Sequence, residues 1–224
     1  MPYTIKEIRK NVLQIEADTQ YEIASMFLRP QEYYESPFEN IYRNVFTLDE
    51  YMDTYAKKNG AFTYYTDWNG FNIPGNILNE FYTNFQYILN KKEIELFNLI
   101  KSLVNVDKDK YYVIGTCKSS PVAVKHEVAH AYWYLYRSYK KSMKEIIYNS
   151  DEQIISKIED HLLNMGYKSN MIYDEIQAYL STGFKHWLLE HIEWRKIKNA
   201  KVDNLSLFTK CFKEFDNLNN TLKE

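Results

Sequence analysis

The sequence predicts an α+β fold that is predominantly helical, and three observations predict it. Long stretches repeat apolar residues at the 3.6-residue spacing of helices. Two short runs, near 62–73 and at 111–117, are rich in the aromatic and β-branched residues that favour strands. With 224 residues, the chain can bury a core without disulfides or structural metals to staple it. A single compact domain over 1–224 is therefore expected. Its 1–110 part is helical with a β-hairpin near 62–73. Its 111–224 part holds a strand, a helix and a helical subdomain.

Taken in order, residues 5–35 read as mainly helical, with Ile15, Ile23, Met26, Phe27 and Tyr34 as apolar positions. Pro30 and Pro37 should bend or break that stretch, since proline lacks the helical donor. Thr47 and Glu50 have capping-box spacing, and Gly60 after Asn59 can supply the left-handed stop. Residues 62–68 read as a strand, Asn69 and Gly70 as a tight turn, and 71–73 as the returning strand. Residues 77–104 carry Ile77, Phe81, Phe85, Ile88, Ile94, Phe97, Ile100 and Leu103 at helical spacing. After the strand at 111–117, Ser119, Ser120 and Pro121 form a helix start, and the helix should run to about Lys140. Helices follow at about 151–165, 170–182, 184–198 and 203–222. The last places Leu205, Phe208, Phe212, Phe215 and Leu222 on one packing face.

Composition narrows the function classes. Lys and Arg number 28 against 30 Asp and Glu, so no basic excess draws the chain to nucleic acid. Two cysteines, Cys117 and Cys211, are too few for a disulfide framework and suit a reducing compartment. Cys117 reads as a small core residue. The first residues lack the apolar segment of a signal peptide, and no apolar run reaches membrane-spanning length. A cytoplasmic protein without a membrane partner is expected. The 21 tyrosines are spread along the predicted elements, where each packs an apolar ring and keeps a polar tip.

The residues that carry chemistry lie in 122–132. His126 and His130 are four apart, so on a helix they share one face, one turn apart. Two imidazoles placed so can reach one ion at about 2.0–2.1 Å. Glu127 follows the first histidine and can serve a metal-bound water in place of the metal. Val124, Val128, Ala129 and Ala131 are uncharged, as a buried metal-binding helix requires. With only 5 histidines in the chain, a chance pair at this spacing beside a glutamate is uncommon.

His126, Glu127 and His130 form an HExxH pattern, and over 123–132 the chain resembles the zincin metallopeptidases, as does the strand-then-helix order around it. Ala123 stands where zincins usually carry Val or Thr. Nothing after His130 has the spacing of a metzincin extension. Glu175, 45 residues later on another predicted helix, resembles the gluzincin arrangement, in which a downstream Glu completes His₂Glu ligation. Its apolar neighbours Ile172, Ile176, Ala178 and Leu180 imply a buried carboxylate, which needs a partner. His161 and Asp174 are the alternative third ligands. Asp174, just before Glu175, can instead accept a ligand histidine's N–H. Tyr179 replaces the acidic residue that gluzincins often place there. His186 and His191, five apart, read as surface or boundary residues.

The resemblance implies one zinc ion per chain, a peptide or protein substrate, and hydrolysis of the endopeptidase kind. Glu127 is then the general base, and Tyr179 a candidate oxyanion donor, with Tyr173 and His161 as other candidates. The strand at 111–117 would pair with the substrate backbone. Two further readings use the same residues: a non-catalytic binding or structural protein of zincin fold, and a zinc hydrolase acting on a non-peptide amide. No cofactor other than zinc is implied, and oligomeric state is open.

Overall fold

A computed structural model describes residues 3–68, 70–106, 110–118, 121–182, 188, 190–192 and 204–222. The chain divides into two compact units, Met1–Val124 and Lys125–Glu224. It is an α+β protein, mostly helical, with a small mixed sheet.

The first unit opens with strands β1 (Tyr3–Arg9) and β2 (Val12–Ala17), joined at Asn11, whose φ is 62°. The helix expected over 5–35 therefore occupies only its second half. Asparagine tolerates the left-handed turn that reverses the chain. β2 lies between two strands, so Val12, Leu13, Gln14 and Ile15 are all buried and show no alternation. Helix α1 (Gln20–Glu35) starts at a Thr19/Glu22 capping box. Pro30 neither ends nor breaks it. The helix closes at Ser36, just before Pro37.

Helix α2 (Leu48–Asn59) has the expected Thr47/Glu50 box and stops at Gly60, whose φ is 83°. The hairpin near 62–73 does not form. Residues 64–67 are instead a short helix, α3 (Tyr64–Asp67), held where the Asp67 carboxylate accepts from Thr63 Oγ1 at 2.9 Å and from the Tyr55 hydroxyl. β3 (Gly70–Pro74) pairs elsewhere. Asn69, half of the expected turn, lies outside the described residues. The helix expected over 77–104 is two helices, α4 (Gly75–Phe85) and α5 (Lys91–Lys101). Asn90 caps α5 and forms a box with Glu93, and this local hydrogen bonding outcompetes a continuous helix.

β4 (Tyr112–Cys117) is the expected strand. The sheet order is β1-β2-β4-β3, with β4 parallel to β2 and antiparallel to β3. Both edges of β4 are thus occupied, so its backbone is not open to pair with a substrate as expected. Gly115 is required at its centre: a Cβ there would lie 2.7 Å from the Phe27 ring of α1, which crosses the sheet. Burial, then the Glu22 charge, pushes the Cys117 thiol pKa up, which opposes a thiolate role.

Helix α6 (Pro121–Leu135) begins at the expected proline, and the division between the units falls in its first turn. Ser119 and Ser120 lie outside the described residues. The expected run to Lys140 is interrupted at Tyr136, which is extended (φ −114°, ψ 102°), and α7 (Arg137–Tyr148) follows. Next come α8 (Glu152–Asn164), a 3-10 turn (Ser169–Met171), α9 (Ile172–Ser181) and α10 (Asn204–Thr221). α10 packs on α7 and α9 through Leu207, Phe208, Cys211 and Phe215. Phe212, expected on that face, is 49% exposed, because the buried stripe steps from 208 to 211 to 215. Most of the helix expected at 184–198, with His186, lies outside the described residues. Among the described residues, no helix is long and apolar enough to cross a membrane.

Candidate metal centre

The second unit brings the motif residues together. α6 turns His126 and His130 to one side, and α9 faces them with Asp174 and Glu175. The two histidine Nε2 atoms are 3.2 Å apart. One Glu175 oxygen lies 3.8 Å from His126 Nε2, and the other lies 3.7 Å from His130 Nε2. Ligands at about 2.0–2.1 Å from a tetrahedral zinc are separated by about 3.3 Å, and one potential ligand atom from each of the three residues lies within 4.8 Å of the others, so the group could close on one ion. His126, His130 and Glu175 are all buried, and among the described residues theirs is the one such group of three potential ligands.

The residues fit a metal on chemical grounds too. Glu175 is 3% exposed, and its Oε2 has no hydrogen-bond partner among the described residues. A buried carboxylate oxygen left so is costly unless a cation meets it. Two imidazole nitrogens and a carboxylate are a zinc-type donor set, three protein ligands with a fourth position left over.

Asp174 is not brought in as a ligand. Its Oδ1 sits 2.8 Å from His130 Nδ1, behind the ring, which fits the acceptor role. Gln177 Nε2 donates to the same oxygen at 3.0 Å, and the Tyr139 hydroxyl donates to Gln177 Oε1 at 2.8 Å. Burial pulls the His130 pKa down. The charges of Asp174, Glu175 and Glu127, with the Asp174 hydrogen bond, outweigh it and raise the pKa well above the usual value.

Glu127 is buried, and its charge acts on both His130 and Tyr179. The Tyr179 ring stands edge-on to His126, with centroids 4.9 Å apart. Its hydroxyl lies 3.3 Å from that of Tyr167. Burial, reinforced by Glu175 and Glu127 and partly offset by the Tyr167 hydrogen bond, pushes its pKa up to about 12.

His161 is not placed with the pair. Its ring stands 5.4 Å from that of His191, and burial, then the His191 charge, lowers its pKa. Tyr173 is 39% exposed. Gln177, Tyr139 and Tyr167 are the neighbours that sequence reasoning missed. Gln177 alone carried a signal, as a polar residue amid apolar ones on a buried helix. No family model, curated protein or solved structure matches the chain.

Proposed function

We propose that the chain is a zinc metallopeptidase with a zincin-like arrangement, hydrolysing peptide bonds in the manner of an endopeptidase. The observation that carries this reading is the convergence of His126, His130 and Glu175 on one buried point, with a Glu175 oxygen unsatisfied there. The order of β4 followed directly by α6 supports it. Zinc held by these three residues would supply a Lewis acid for the scissile carbonyl and lower the pKa of a bound water from about 15.7 toward 7.

The chain's own groups do the remaining work. Glu127 takes a proton from the attacking water and hands it to the leaving amine. Asp174 holds the His130 ring by its Nδ1 proton, so that Nε2 faces the ligand group. The Tyr179 phenol stays protonated across the working pH range and can donate to the developing oxyanion. Tyr167 limits where that hydroxyl can point. The substrate is then a peptide or protein.

The test is Glu127→Gln, a near-isosteric change that removes the base and spares the ligands. The purified parent should hold one zinc per chain and cleave a peptide library. The variant should hold the same zinc and lose turnover by at least about 100-fold, the lower range for general acid–base catalysis. An equally active variant would sink the mechanism. A zinc-loaded parent with no cleavage would favour a non-catalytic zinc protein.

A further inference from the structure

We propose that Gln177, oriented by Tyr139, is a positioning residue that sets His130 for its metal by acting through Asp174; the inference rests on the metal-site reading above. Three hydrogen bonds carry it. Tyr139 Oη–H donates to Gln177 Oε1 at 2.8 Å, Gln177 Nε2–H donates to Asp174 Oδ1 at 3.0 Å, and His130 Nδ1 meets the same Oδ1 at 2.8 Å. The chain links three helices: α7 gives Tyr139, α9 gives Gln177 and Asp174, and α6 gives His130.

The direction of the chain is fixed by chemistry. An amide has a donor end and an acceptor end of nearly equal shape, so its neighbours decide which end faces which. Tyr139 offers a hydroxyl proton, and burial keeps that phenol from ionising. The Asp174 carboxylate can only accept, so the NH₂ must face it, and the amide oxygen then faces the Tyr139 hydroxyl, which donates to it. Asp174 Oδ1 then receives two N–H groups, which fill the two lone pairs of that oxygen. Donation by Gln177 confines the carboxylate to one position, and the carboxylate confines His130. Nδ1 carries a proton whatever the charge of the ring, so Nε2 is the nitrogen presented to His126 and Glu175, 3.2 and 3.7 Å away.

Nothing in packing alone calls for an amide here. Gln177 is 0% exposed and Tyr139 is 2% exposed. A leucine of similar volume would avoid burying two polar ends that must both be satisfied. Gln177 and Asp174 are one helical turn apart, so both point to the same side of α9. The amide also keeps its donor at every pH, unlike a carboxylic acid.

The experiment compares the parent, Gln177→Leu, Tyr139→Phe and the double variant. Zinc affinity is measured by competition with a chelator. The hydrogen-bonded Nδ1–H proton of His130 is followed by NMR in metal-free and zinc-loaded protein. Gln177→Leu should weaken zinc binding by about 10- to 100-fold, the usual range for groups that orient a ligand. It should also move the Nδ1–H resonance upfield and speed its exchange. Tyr139→Phe keeps the ring and should change both readouts in the same direction by less. The double variant should match Gln177→Leu in both readouts, because Tyr139, which also meets Ser181, reaches Asp174 through the amide.

An unchanged affinity and an unchanged Nδ1–H resonance in Gln177→Leu would overturn the inference, even if the variant melted earlier. Additive effects in the double variant would overturn it too. If Gln177→Leu fails to fold, Tyr139→Phe decides by the same two readouts. A parent that binds no zinc would overturn the metal-site reading instead. The metal-free resonance would still show whether the hydrogen-bond chain orients His130.

Discussion

Each unit buries two glutamates, and the most buried of each, Glu93 and Glu175, are satisfied in opposite ways. Glu93 in the first unit is 1% exposed and fully matched. Arg29 Nε donates to its Oε1 at 2.7 Å, a second guanidinium nitrogen reaches Oε2, and the Asn90 backbone N–H adds a bond at 2.9 Å. Arg29 uses two of its other donors on the carbonyls of Phe46 and Ile88. Glu175 in the second unit is 3% exposed, yet it faces two imidazole nitrogens at distances longer than a hydrogen bond. The first glutamate belongs to a closed network that holds α1 to α5. The second belongs to a network with one place left over. A buried charge is therefore no sign of function by itself; Glu175 differs from Glu93 in that the imidazole nitrogens it faces stand beyond hydrogen-bond distance.

The largest expected effect concerns neutral buried groups, which the two units should treat alike. Burial raises the pKa of Tyr51, Tyr64 and Tyr82 in the first unit and of Tyr139 in the second. In the unfolded chain these phenols ionise near pH 10. Each raised acid contributes stability that is present below its unfolded pKa and lost as pH climbs above it. The loss is about 1.4 kcal/mol per pH unit per group, or about 5 kcal/mol per unit for four. Denaturant unfolding should show stability collapsing above pH 10, with phenolate absorbance rising in the same transition. Phenolate signal from Tyr139 in folded protein below that transition would break the parallel, and with it the donor role given to that hydroxyl.

Arg29→Met comes next, because it converts the closed network into an open one. It leaves Glu93 buried without its cation, and the expected cost is about 3–5 kcal/mol by equilibrium unfolding. A cost below about 1 kcal/mol would mean that the pairing of Glu93 is incidental, and the contrast between the two carboxylates would fall.

How much of this was legible in the sequence follows the range of the interactions involved. The α2 capping box and the Gly60 stop depend on residues three to a dozen apart, and both were readable. The HExxH helix was readable because its geometry is local to α6. Glu175 was named from its buried setting and a family resemblance, and α9 brings it to the histidines. The β1–β2 hairpin was missed although Leu13, Ile15 and Ala17 alternate with Gln14 and Glu16, because that pattern is short and runs straight into the helical spacing of α1. The break at Asn90 was missed although its cap was local, because the apolar spacing continues across it. The Gln177–Tyr139 bond joins residues 38 apart on two helices, and no spacing rule announces such a pair.

Glu175→Gln is expected to have the smallest effect on the metal-free protein and sharpens the comparison most. The change keeps the shape and removes the charge. Because Oε2 has no hydrogen bond among the described residues to lose, the cost without metal should stay below about 1 kcal/mol. Zinc separates the two proteins. A ligand that binds only the folded state at about 1,000 times its Kd adds about 4 kcal/mol of stability. The parent should gain that much on zinc addition, and the variant should gain almost none. Unfolding curves with and without zinc measure both quantities in one series. If Glu175→Gln cost the metal-free protein as much as Arg29→Met and still gained stability from zinc, Glu175 would be a second closed carboxylate. The open place in the second unit would then be filled by protein alone.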